Sequence, residues 1–271
     1  MKRGPLSPNS RIRGLILVAG VALLATSLRA EAPVTLRVGM DTRSPPWVFV
    51  PGLAFVKEDQ TKAPIVTPDQ LRKLEGLDVD VMKALARRLD KTPEVVPTAW
   101  PELEKGLLER RYDVILCGWT PNPKTLGSIA ATDPYYTWGL LLAVRSADTK
   151  IHSFRDLDGH RVGHYRDPVV AQSLYAMGHG TLIPSDDPGS LFDDLKSGAL
   201  DAVVFDSLYV HWRVANEPAF RVVGEPLNHL GYHVGVLKAN ATLFRKIQAA
   251  VKDLVASVEM ADIRRKWEGK P

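Results

Sequence analysis

The chain has 271 residues, 45% of them hydrophobic, and carries 35 Lys and Arg against 31 Asp and Glu. Five of the basic residues (Lys2, Arg3, Arg11, Arg13 and Arg29) and none of the acidic ones fall in the first 30, which leaves 30 against 31 for the rest; the basic excess belongs to the leading segment and gives no ground for nucleic-acid binding. A single cysteine, Cys117, excludes an intramolecular disulfide, and a chain of this length buries a sufficient core without one.

Behind the leading positive charges, residues 14–28 (GLILVAGVALLATSL) form an uncharged apolar run of signal-peptide length. The run is short of the roughly 20 apolar residues that span a bilayer. Ala30-Glu31-Ala32 supplies a small-residue cleavage pattern, so residues 1–30 read as a signal peptide cut after Ala30 or Ala32, with the mature chain in the periplasm.

Residues 34–40 (VTLRVGM) alternate as a first strand, broken by Pro45 and Pro46. Residues 48–75 form a long connection. Within it Thr67-Pro68-Asp69-Gln70 has the pattern of a capped helix start: Thr at the N-cap, Pro next, Gln closing the box. Residues 77–89 place Val79, Met82, Leu85, Ala86 and Leu89 on one helical face, and 95–97 reads as a strand. A helix over 103–111 and a strand over 113–117 follow, then a loop at 129–136 and strands at 139–145 and 162–165. Next come a helix at 169–177, a short strand at 182–184, a helix from 208 and strands at 221–223 and 232–237. The helices 243–255 and onward to Trp267 close the chain. Strand–helix alternation of this length is an α/β signature.

One phrase occurs twice. Residues 103–118 (LEKGLLERRYDVILCG) and 191–206 (LFDDLKSGALDAVVFD) each set a Leu, a second Leu four residues on, and an Asp that opens an apolar strand. In open α/β sheets ligands bind beyond the carboxyl ends of strands. The echo therefore suggests two similar lobes with a site between them. Polar stretches at 145–150 and 224–230 are the expected crossings. They make 33–145 plus 231–271 one lobe and 147–226 the other.

Several phrases together carry a resemblance: Val38-Gly39-Met40-Asp41 with Pro45-Pro46-Trp47, residues 76–81 (GLDVDV), Trp100 before the first echoed helix, Asp133-Pro134-Tyr135-Tyr136, Leu157-Asp158-Gly159 with Val162-Gly163, and residues 201–206. In this order and spacing the mature chain resembles the periplasmic solute-binding proteins of family 3, the amino-acid type that serves ABC importers. The resemblance implies a bilobal periplasmic-binding-protein fold with a two-segment hinge, which closes on a small polar solute and hands it to a membrane permease. It also implies a monomer with no cofactor and no catalysis. The position of Trp100 packs on the ligand, and Cys117, Gly118 and Thr120 line the cleft beside Trp119. Asp206 takes the ligand's amino group, and Asp41 contacts its side chain. Related alternatives of this fold are a periplasmic dehydratase resembling cyclohexadienyl dehydratase, and an accessory binding protein of a periplasmic enzyme.

Two departures bear on the ligand. Where the family places an Arg that forks onto the ligand carboxylate, this chain has Thr125, and the adjacent Lys124 does not reproduce a bidentate fork. The second-lobe loop reads Arg166-Asp167-Pro168 instead of Gly followed by Ser or Thr. Arg166 then either supplies a cation to the cleft or faces solvent. The insertion at 48–75 is a further departure and would cover one mouth of the cleft. All seven histidines lie between His152 and His233, and the spacing of His160/His164 and His229/His233 suits a metal only on a helix, which neither pair occupies. No metal is expected. His164 ends a strand close enough to reach the cleft, as does Trp47, whereas Tyr135 and Tyr136 are expected to pack beneath the hinge.

Overall fold

The computed structural model describes residues 34–52 and 62–268. The predicted signal peptide lies outside the described residues. The strands are β1 (Val34–Met40), β2 (Arg43–Ser44), β3 (Val48–Phe49), β4 (Lys91–Pro97), β5 (Val114–Ile115), β6 (Ile129–Ala131), β7 (Tyr136–Trp138), β8 (Leu140–Arg145), β9 (Arg161–Tyr165), β10 (Thr181–Ser185), β11 (Ala202–Asp206), β12 (Phe220–Val223), β13 (Leu230–Tyr232) and β14 (Gly235–Leu237). The helices are α1 (Pro68–Arg72), α2 (Leu77–Arg88), α3 (Leu103–Leu108), α4 (Pro168–Met177), α5 (Pro188–Ser197), α6 (Ser207–Asn216), α7 (Ala241–Val255) and α8 (Val258–Trp267).

Two five-stranded mixed sheets organise them. The first runs β4-β1-β5-β14-β6 and the second β10-β9-β11-β8-β12. In each, three neighbouring strands are parallel (β4, β1, β5 and β10, β9, β11), and the remaining two join through antiparallel pairing. The doubled phrase occupies the same place in both. Leu103 and Leu107 are buried under the first sheet, Leu191 and Leu195 under the second. The shared Asp does the same work twice. Asp113 receives the backbone N–H and guanidinium of Arg37 in β1, and Asp201 those of Arg161 in β9, with ion pairs of 2.8 and 2.9 Å. Each pair pins the start of an echoed strand to its parallel neighbour.

Helix faces follow their sequence periodicity. Ile247, Ala250, Val251 and Leu254 of α7 form one buried stripe. The capping box of α1 is present as read: the Thr67 hydroxyl accepts from Gln70 N, and the Gln70 side chain accepts from Thr67 N. In β1, Gly39 leaves room for Tyr112, whose ring would lie 2.4 Å from a Cβ there.

Three assignments are corrected. The expected crossing at 145–150 is a turn inside the second lobe, because β8 is buried along its length and sits between β11 and β12. The chain passes between the sheets at 132–139 instead. Residues 129–136, read as a loop, contribute β6 to the first sheet and the start of β7. The strand read at 232–237 is two strands: β13 pairs with β7 as a separate two-stranded ribbon, and β14 joins β5 and β6. Polarity marked surface turns as well as crossings, and a run apolar but for His233 hid a change of sheet.

Candidate ligand cleft between the two sheets

A cavity of about 670 Å³ opens where the carboxyl ends of both sets of parallel strands converge. The first lobe supplies Arg43, Ser44, Pro45, Trp47, Trp100, Cys117, Gly118 and Thr120. The ribbon supplies Trp138, and the second lobe contributes Tyr165, Asp167, Asp187, Phe205, Asp206, Tyr209 and Arg213. Aromatic faces dominate its walls. Trp47 stacks on Tyr209 across the cleft, with ring centroids 6.0 Å apart and planes within 5°.

Gly118 lies at the turn after β5 with φ +59°, a left-handed conformation that costs other residues about 1–2 kcal/mol. A Cβ there would also stand 2.8 Å from Trp47 Nε1. Its N–H donates to the buried carboxylate of Asp78, which also accepts the Tyr135 hydroxyl at 2.8 Å. Burial raises the Asp78 carboxyl to about 7, against the opposing pull of these two donors. The Thr120 hydroxyl donates to the Gly231 carbonyl at 3.0 Å and accepts from Trp138 Nε1 at 3.2 Å.

On the other side, Asp206 ends β11 and caps α6, accepting from Leu208 N at 2.8 Å and from the Tyr232 hydroxyl. It is 7% exposed, and burial raises its carboxyl to about 7 although both donors favour the charged form. Such a group is poised to gain from a cation placed beside it. Asp167 and Asp187 stand in the same relation to α4 and α5, accepting from Val170 N at 3.3 Å and from Gly189 N at 2.9 Å. The two guanidinium groups of the lining are held by carboxylates. Arg43 forks onto Asp41 at 3.0 and 3.1 Å, and Arg213 meets Glu217 at 2.5 Å while lying over the Phe192 ring.

Of the residues singled out in the sequence, Trp47, Trp100, Cys117, Gly118, Thr120 and Asp206 line this cavity. The others do not. Asp41 is fully buried beneath it, fixing Arg43 and accepting from Trp100 N at 2.9 Å, so it positions the wall. Trp119 turns into the core, where its indole N–H meets Glu104 at 2.9 Å. Lys124 is exposed and Thr125 bonds back to Asn122 O in the loop beyond the cleft. His164 is 1% exposed, with Nδ1 2.9 Å from the Tyr165 carbonyl. Arg166 faces outward and pairs with Asp186 at 2.8 Å. Among the described residues no group of three or more His, Cys, Asp and Glu is placed to hold a metal. Cys117 is buried, with burial pushing its thiol up, away from the reactive thiolate. The described part of the insertion reaches the site through Lys62, whose carbonyl accepts from Arg43 at 3.0 Å.

Sequence reading missed the acidic caps Asp167 and Asp187 and the wall residues Tyr165, Phe205 and Tyr209. Asp167-Pro168 and Asp187-Pro188 carried a signal, since Asp before Pro marks an N-cap at the end of a strand.

Residues 56–270 match the model of the bacterial extracellular solute-binding proteins, family 3. The chain belongs to that family. It is a solute-binding protein of the class that serves amino-acid importers, not an enzyme. It is 31% identical over 156 residues to a probable amino-acid ABC transporter-binding protein of Haemophilus influenzae, covering 58% of this chain and 60% of that relative. A putative ABC transporter arginine-binding protein of Escherichia coli matches at 24% identity over 93% of this chain and 98% of its own length. Among solved structures, an ancestral arginine-binding protein bound to arginine superposes with a TM-score of 0.69 at 27% identity, over 88% of this chain and all of that one.

Proposed function

We propose that this protein captures a small amino-bearing solute between its two lobes and delivers it to the permease of an ABC importer. The observation that carries the reading is Asp206, a buried carboxylate at the floor of an aromatic-walled cleft. A desolvated ammonium needs such a partner, and the faces of Trp47, Trp100 and Trp138 add attraction for a cation. Asp206 is the ligand's amine receptor, and Trp47, Trp100, Gly118 and Thr120 shape the opposing wall. Closure of the lobes, bending at 132–139 and 224–234, completes the enclosure. The relatives named for arginine and other amino acids support an amine-bearing ligand, and the apolar leading segment supports export to the periplasm by a cleaved signal.

A thermal-shift screen of the mature protein against amino acids, amines and small organic acids tests this. Amine-bearing compounds are expected to raise the melting temperature by mass action, and Asp206→Asn, which keeps the helix cap but not the charge, is expected to abolish the response. A shift with organic acids alone, or an unchanged response in D206N, refutes it.

A further inference from the structure

The strongest receivers a carboxylate could find in the cleft are already engaged. Its two guanidinium groups already face Asp41 and Glu217. Gly118 N–H is given to Asp78, and the Thr120 hydroxyl proton to Gly231. The indole N–H of Trp47 is buried against Gly118. Lys124, Thr125 and Arg166 lie elsewhere. In the second lobe three helices begin at the cleft, and such N-termini would ordinarily attract an anion. Each is closed by an aspartate whose carboxylate takes an N–H of the first turn: Asp167 for α4, Asp187 for α5 and Asp206 for α6.

These aspartates form a row set by sheet order. The strands β10, β9 and β11 are neighbours, so their carboxyl ends carry Asp187, Asp167 and Asp206 in that sequence. With strands about 4.8 Å apart, the outer two stand roughly 10 Å from one another. All three line the cavity. An α-amino acid would bring a carboxylate into this row of acids, and a buried charge facing like charges is strongly disfavoured.

Resting on the assignment of this cavity as the solute site, we propose that the ligand is a dication without a carboxylate, an α,ω-diamine or guanidinoalkylamine. One cationic end sits on Asp206 and the other on Asp187, with the alkyl chain between them against the aromatic walls.

Matched pairs that differ only in the α-carboxylate test this by calorimetry: cadaverine against lysine, and agmatine against arginine. The member of each pair without the carboxylate is expected to bind at least about tenfold more tightly. Asp187→Asn keeps a side chain suited to capping α5 and is expected to weaken cadaverine about tenfold, a distinctly larger loss than for n-butylamine. Lysine and arginine binding as tightly as their decarboxylated counterparts, or D187N leaving cadaverine unaffected, overturns the dication and leaves the amine-solute reading intact. A folded protein that binds none of the five compounds overturns both.

Discussion

Replacing Tyr232 by Phe removes one oxygen that touches Asp206, and Tyr232 itself does not line the cavity. The ring stacks on Tyr136 and Trp138 at 5.4 and 5.6 Å, contacts that Phe preserves. The hydroxyl is one of the donors that hold the Asp206 carboxylate down against the effect of burial. A hydrogen bond to a charged group contributes about 1.5–3 kcal/mol. Losing it should lift the carboxyl by roughly one to two units from its position near 7. Only the ionised form attracts a cation, so the ionised fraction at pH 7 would fall from about a half to between about a tenth and a hundredth. The apparent affinity for cadaverine should drop about five- to fifty-fold. By pH 9 the variant is at least about half ionised and should come within about twofold of the parent. Calorimetric titration from pH 6 to 9 reads this directly as a displaced midpoint. Superposed curves, or a loss equal at every pH, would show that the hydroxyl does not govern the charge on Asp206.

The buried carboxyl of Asp78 sits near 7 when folded and near 3.8 when unfolded. Between those values the native state holds a proton that the unfolded chain lacks, so this group's contribution to stability declines as pH rises from about 4 to about 7. Urea midpoints of the parent and Asp78→Asn should therefore diverge between pH 5 and 7, with the parent losing ground; parallel trends would contradict the assignment. Gly118→Ala should cost about 2 kcal/mol or more in urea unfolding, from the positive φ and the displacement of Trp47, and should weaken amine binding as well. Phe192 is fully buried and meets Tyr209 and Phe220 edge-on, so Phe192→Ala should cost about 3–5 kcal/mol by the same measurement. A loss under 1 kcal/mol there would mean that the second lobe repacks.

The doubled phrase was legible because helical and strand periods are local: Leu103 and Leu107, or Leu191 and Leu195, need only their own helix to declare a face. The partners of the shared Asp were not, since Arg37 and Arg161 come beside Asp113 and Asp201 only through parallel pairing across long connections. Asp206 was legible through family resemblance. The fate of Asp41, Trp119 and His164 was not, because the choice between wall and core depends on which way a side chain leaves its turn. The crossing was misplaced for a related reason: residues 146–150 are polar because they bend at the surface, while the true passage at 132–139 carries Tyr135, Tyr136 and Trp138, whose aromatic character conceals a linker.

The ribbon of β7 and β13 joins the two sheets, and it also lends Trp138 to the cavity wall and Tyr232 to Asp206. Under the closure proposed above, recognition and articulation share one piece of chain. On that proposal, a change here that admitted a different solute would also bear on the hinge, tying diet to posture at these positions. Divergence that alters taste alone has freer ground at Trp100 and Asp187, which reach the cavity from outside the ribbon.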